Sequence, residues 1–321
     1  MNRRRLIAAS LAAAVAWRTA HAAPKPNAHV GYLELVRAAD GESLYREFIE
    51  GLQARGYVEG RNLRVLRRSG NGQPDSVRPL AAELGAAKVD VILAASIEPA
   101  RSARYAAPRT PTVFVISGEP VLEGLVQSLA RPGGFVTGVT SRAEDLTAKR
   151  LEILKQAFPR IQTVAVVGSN MSMAGVAFDD AARQLQLAIL RFPVNHPDDY
   201  RDAAAAISRS AADALLVVED ADVVIGLSAF TRLMMATRRP VMFNSEMFVE
   251  QFGLMSFGVS QRQQYRRAAE ITARVLEGAK PASLPIELPT RYELVINARA
   301  MEEYQIAFPR EFLLRADRVI K

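Results

Sequence analysis

The chain contains no cysteine in 321 residues. That excludes disulfide staples, thiolate metal sites and a cysteine nucleophile together. Histidine is nearly missing too. Of the three copies, His21 lies in the leader-like N-terminus, His29 precedes the first strand and His196 stands beside Pro197. No two share metal-ligand spacing, and none has a sequence neighbour suited to acid–base work. Neither a Gly-x-Ser-x-Gly elbow nor a P-loop occurs. These absences predict no metal, no cofactor and no enzymatic activity. Beyond the first twenty residues no apolar run reaches the length needed to cross a membrane.

What is present begins with MNRRRLIAASLAAAVAWRTAHAAPK, residues 1–25. Arg3, Arg4 and Arg5 precede an apolar stretch from Leu6 to Trp17, and Ala20-His21-Ala22 offers small residues at alternate positions. This is the order of a secretory signal, read as residues 1–22, with the mature chain starting at Ala23. The stretch is too short to span a bilayer, and the arginine pair leaves the twin-arginine route open beside the general one. The expected location is the periplasm. Arg3, Arg4, Arg5 and Arg18 leave with the signal, so the formal charge falls from +7 to +3. The remaining basic residues form no long run, so no nucleic-acid partner is expected.

About 300 mature residues can bury a core without disulfides, and that length favours two lobes. From His29 onward apolar β-rich runs alternate with helical spacing. Val30–Leu33, Leu63–Leu66, Val89–Leu93 and Thr112–Ile116 read as strands. Tyr45, Phe48, Ile49 and Leu52 fall at i, i+3, i+4, i+7, the stripe of an amphipathic helix. Ser128–Thr140 interrupts this rhythm with Pro132-Gly133-Gly134 and reads as a turn between lobes. The alternation then restarts, with strands at Thr163–Val167, Ala188–Phe192, Ala214–Val218 and Val241–Phe243. The predicted fold class is α/β: two similar doubly wound parallel-sheet lobes with a ligand cleft between them. Residues 23–141 plus 258–321 are assigned to lobe 1 and 142–257 to lobe 2. A monomer is expected.

Ligands of such sheets sit beyond the carboxyl ends of the strands, which selects the candidate residues. Tyr32 and Glu34 end the first strand. Ser96, Ile97 and Glu98 follow the third, and Ser117 and Glu119 the fourth. In the second lobe Ser169 and Asn170, Glu219 and Asp220, and Asn244 and Glu246 hold equivalent positions. Hydroxyls and helix N-terminal N–H groups can take a ligand carboxylate, and acids can take an ammonium. The same residue types also cap helices. The recurrence of acids in a basic chain predicts a ligand carrying a positive group, alone or in a zwitterion.

Five stretches in order resemble a family of ABC-transporter substrate-binding proteins that includes tryptophan- and tyrosine-binding members. They are FIEGLQARGYVEGRNL from Phe48, GEPVLEGLVQSLARPGGFVTGVT from Gly118, GLMSFGV from Gly253, LEGAKPASLPIELPTRYELVIN from Leu276 and FLLRADRVIK from Phe312. The resemblance runs from about His29 to Lys321. It implies a type I periplasmic-binding fold and transport of a small solute, which with the acids above is read as amino acid transport or transport of a related cationic or zwitterionic molecule. The small-molecule ligand would be delivered to an ABC permease in the inner membrane by hinge closure. Three loops depart from the family pattern, at Leu33–Arg37, Ala95–Pro99 and Val167–Asn170, so aromatic specificity does not carry over with the fold. A periplasmic ligand-sensing module that partners a signalling receptor is the alternative reading.

Overall fold

A computed structural model describes residues 27–142, 146–168, 176–195, 198–218, 230–231, 235, 237–251 and 253–321. Among these residues the strands form two sheets, each with helices around it.

The first sheet is parallel throughout, in the order β2-β1-β3-β4-β5. Its strands are β1 Ala28–Glu34, β2 Leu63–Ser69, β3 Val91–Ala95, β4 Thr112–Ile116 and β5 Val136–Thr140. β1, β3 and β4 are almost continuously buried, as expected of parallel strands covered on both faces. Helices α1 Glu42–Ala54, α2 Pro74–Ala86 and α3 Ile97–Ala106 alternate with them. The order reverses between β1 and β3, where Glu34 pairs with Ala95.

β5 corrects the sequence reading of Ser128–Thr140. The Pro132-Gly133-Gly134 segment turns back within the first lobe and feeds an ordinary fifth strand, in register with β4. Gly138 hid it. A glycine weakens a strand signal, yet here it is required, because φ is +155° and a Cβ would lie 2.3 Å from the Phe114 carbonyl oxygen.

The second sheet runs β12-β11-β10-β9-β8-β6-β7. It holds β6 Thr163–Gly168, β7 Ala188–Pro193, β8 Ala214–Val217, β9 Val241–Phe243, β10 Met255–Gly258, β11 Glu293–Asn297 and β12 Arg318–Ile320. α4 Thr147–Ala157, α5 Val176–Gln184, α6 Asp199–Arg209 and α7 Glu246–Gln251 belong with it. This order reverses between β6 and β8.

The segment from residue 258 onward divides between the lobes, which corrects its assignment to the first. Its opening part, helix α8 Gln261–Leu276, shares the first-lobe core: Tyr265, Ala268 and Ile271 pack with Phe48, Leu52, Leu93 and Val113. Thr137 Oγ1 donates to the Leu284 carbonyl at 2.8 Å, so the chain stays there as far as Glu287. It then crosses back. β11 pairs antiparallel with β10, and β12 parallel with β11. The chain therefore passes between the lobes three times, after Thr140, after Gly258 and after Glu287. The first and third crossings touch, with the Thr140 N–H donating to the Glu287 carbonyl at 3.0 Å.

Candidate functional site

A strand-order reversal opens a crevice at the carboxyl ends of the flanking strands. In the first sheet that point is the Glu34–Ala95 pair. Ser96 comes next, and its geometry is unusual in two ways. Its φ is +135° with ψ 179°, on the side of conformational space that a side chain disfavours. It occupies the N-cap of α3 yet makes no capping bond, and its buried Oγ has no hydrogen-bond partner among the described residues. Capping, the ordinary use of a serine there, is therefore not what this hydroxyl does. Backbone strain and an unsatisfied buried polar atom both gather at functional sites.

The second lobe supplies matching groups. Asn244 follows β9, and its Oδ1 is buried without a partner among the described residues. Thr147 opens α4, which leads into β6 and so places its first turn at the carboxyl ends of the second sheet. Its Oγ1 is likewise buried and unpartnered among the described residues. One turn on, Arg150 is only 1% exposed and its Nε donates to the Phe257 carbonyl at 2.7 Å. Gly258 allows this convergence. A Cβ there would lie 2.1 Å from the Asn244 carbonyl oxygen and 3.5 Å from Arg150 Nη2. Sequence reading missed Thr147 and Arg150. The available signal was two polar residues on the stripe of Leu151 and Leu154, the buried face of α4.

The acids read as cleft lining are placed differently. Glu34 is 1% exposed and grips Arg67 with both oxygens, at 2.6 and 3.2 Å. Arg67 also donates to Glu42 at 2.7 Å and to the Ala38 carbonyl at 2.7 Å, and its guanidinium lies 4.3 Å from the centre of the Tyr45 ring. Burial pushes the Glu34 carboxyl above its ordinary range, against the pull of Arg67. Glu98 accepts a hydrogen bond from Ser102 at 3.0 Å, one turn along α3. Glu119 pairs with Arg142 at 3.3 Å. Glu246 is buried, accepts from Ser260 Oγ at 3.1 Å and from the Arg262 backbone N–H, and so caps α8. Its carboxyl is also raised by burial. Each of these four carboxylates has a protein partner, an arginine for Glu34 and Glu119 and a serine hydroxyl for Glu98 and Glu246.

The other candidates divide. Tyr32 is a core residue, packed edge-on against Tyr45 at 5.0 Å and hydrogen-bonded to Tyr265; burial raises its hydroxyl pKa well above the ordinary value. Ile97 packs against the core cluster that contains Ala94, Phe114 and Ile116. Ser117 is half-buried just beyond β4. Ser169, Asn170, Glu219 and Asp220 lie outside the described residues. A separate cleft of about 210 Å3, lined by Arg104, Gln127, Gly133 and Phe135, opens at the amino ends of β4 and β5, away from the crevice.

Among the described residues the unpartnered crevice groups, Ser96, Thr147 and Asn244, are hydrogen-bond donors and acceptors. Among the described residues no cluster of three or more His, Asp or Glu could hold a metal ion. No described helix is long and apolar enough to cross a membrane.

Known proteins share this architecture. A tyrosine-binding protein of Clostridioides difficile (strain R20291) is 23% identical over 277 residues, covering 85% of this chain and 79% of its own. The crystal structure of an ABC domain in complex with L-Trp from Streptococcus pneumonia superposes with a TM-score of 0.81 at 24% identity, covering 92% of this chain and 100% of that one. A conserved domain protein from Vibrio cholerae gives 0.80 at 24% identity, covering 91% and 99%. These likenesses establish a periplasmic-binding-protein fold. Over residues 34–320 the sequence matches the family described as ABC transporter substrate binding protein, a family of solute-binding proteins rather than enzymes, and the chain belongs to it.

Proposed function

We propose that this protein is the periplasmic receptor of an ABC permease, closing its lobes on a zwitterionic amino acid and presenting it to the transporter. The observation that carries this reading is Ser96: strained, buried and unpartnered among the described residues, at a helix N-terminus beside the strand-order reversal. In this reading Ser96 Oγ and the first N–H groups of α3 hold the ligand carboxylate. Asn244 Oδ1 can only accept, and it takes a hydrogen from the ammonium. Thr147 adds a third polar contact from the second lobe. Ser169 and Asn170 follow β6 in the chain and Glu219 and Asp220 come soon after β8, and these are the further polar groups such a crevice would use. The tyrosine-binding relative and the L-Trp complex support an amino acid as the ligand class.

A thermal-shift panel of L-amino acids, polyamines, dicarboxylates and sugars tests this. A ligand at a hundred times its Kd adds about 2.7 kcal/mol, which moves the midpoint by roughly 5 °C or more. An L-amino acid is expected to give the largest shift. A sugar or a simple dicarboxylate as the best ligand would overturn the assignment.

The leader carries its own test. Mass spectrometry of the periplasmic fraction is expected to find a monomeric chain beginning at or near Ala23. An intact Met1, or recovery only with membranes, would refute export by cleavage.

A further inference from the structure

Five charged side chains link the lobes outside the crevice. Arg266 Nε donates to Glu47 Oε2 at 2.5 Å, and Arg262 Nη1 to Glu47 Oε1 at 3.0 Å. The other branch of Arg262, Nη2, donates to Glu250 Oε2 at 2.6 Å, and Arg318 Nη1 to Glu250 Oε1 at 2.8 Å. Glu47 sits on α1 and both Arg262 and Arg266 on α8, all in the first lobe. Glu250 sits on α7, between β9 and β10, and Arg318 on β12, both in the second lobe. The chain of ion pairs therefore passes between lobes at one residue, Arg262.

The contact is reinforced from the same helix. α7 presents two carboxylates four residues apart, on one face. Glu246 takes the N-terminal N–H and Ser260 hydroxyl of α8, while Glu250 takes the Arg262 guanidinium. Burial raises the Glu250 carboxyl, but hydrogen bonds from Arg262 and Arg318 more than offset it and leave it below its ordinary value. Met247, between them, packs against the first-lobe core. Any rotation of the lobes about their three crossings must move α7 relative to α8, and the Arg262–Glu250 bond is in its path.

We propose that Arg262 is a positioning residue that sets the angle between the lobes, by holding Glu47 of one and Glu250 of the other in a single guanidinium. Its effect on ligand affinity rests on the closure reading above, because a crevice formed by both lobes binds in proportion to the population already correctly closed.

The absence of cysteine makes a direct test simple. Spin labels at Arg78→Cys on α2 and Ala205→Cys on α6, both exposed, report interlobe distance in the full mature chain without any ligand. Arg262→Ala and Glu250→Gln are each expected to enlarge the population outside the parent's main distance peak about two- to fivefold, the range for a half-exposed ion pair. Arg262→Lys should fall between these and the parent, since an ammonium cannot hold both carboxylates in the same fork. Arg266→Ala breaks two bonds, to Glu47 and Glu50, both within the first lobe, and should leave the distances unchanged. Superimposable distributions for Arg262→Ala, Glu250→Gln and the parent would overturn the proposal. So would an equal change in Arg266→Ala. Failure of the amino-acid reading would show separately, as a parent protein whose midpoint no amino acid shifts.

Discussion

Replacing Ser96 with alanine is expected to weaken binding of the preferred amino acid by about ten- to a hundredfold and to leave the ligand-free protein at least as stable. A hydrogen bond to a charged group contributes about 1.5–3 kcal/mol, and each 1.4 kcal/mol is a factor of ten. Without ligand the balance differs. The Ser96 hydroxyl is buried with no partner among the described residues, so deleting it removes an uncompensated polar atom at no loss of a bond. Ser96→Gly separates the contributions further. Glycine adopts a φ of +135° without the steric cost a side chain incurs, so this variant should melt higher than the alanine variant while binding no better. Calorimetric titration with thermal unfolding of the three proteins decides the matter. Unchanged affinity in Ser96→Ala would remove Ser96 from the site. A stability loss near 1 kcal/mol would show that the hydroxyl caps α3 after all.

Arg67→Leu is expected to cost about 3–5 kcal/mol of stability at neutral pH, because it leaves the Glu34 carboxylate buried without its cation. The loss should shrink as the pH falls. Burial already raises the Glu34 carboxyl, so the folded protein holds that proton more tightly than the unfolded chain does. A raised acid contributes stability that is fully present below its unfolded pKa of about 4.3 and is lost as pH rises through the folded value. Without Arg67 the folded value climbs further, and the window of loss extends toward neutrality. Urea unfolding at about pH 7 and pH 5 should therefore show a clearly smaller deficit at the lower pH. The double variant with Glu34→Gln should recover part of the deficit at neutral pH. An equal deficit at both pH values would mean that stacking of the Arg67 guanidinium on Tyr45, rather than the ion pair, carries the effect.

Much of the fold was legible because it depends on local periodicity. Tyr45, Phe48, Ile49 and Leu52 marked α1, which spans Glu42–Ala54. Val91–Ala95 and Thr112–Ile116 were plain as strands within a residue or two. What escaped depends on contacts between distant segments. β5 carries a glycine whose reason is the Phe114 backbone across the sheet, and β11 and β12 join a sheet begun more than a hundred residues earlier. The site divides in the same way. A serine after a buried strand was readable, but the strain at Ser96 and the isolation of its hydroxyl are tertiary facts. The acids after the strands were readable as well, but their partners were not. Arg67 lies 33 residues from Glu34, with no spacing rule to connect them.

The three crossings bear on how the molecule assembles. Neither lobe is one continuous stretch of chain. The first needs α8 to complete its core, and the Thr137–Leu284 bond closes a loop of 147 residues that contains β6 to β10 of the second lobe. The second needs β11 and β12 to cover the edge of β10. Such long-range closure is slow, because loop entropy is lost before the contacts that reward it form. Synthesis from the N-terminus delivers the closing segment last. Both halves therefore mature together rather than in sequence, and until the final sixty or so residues emerge the nascent chain remains open to chaperones that bind unfolded polypeptide.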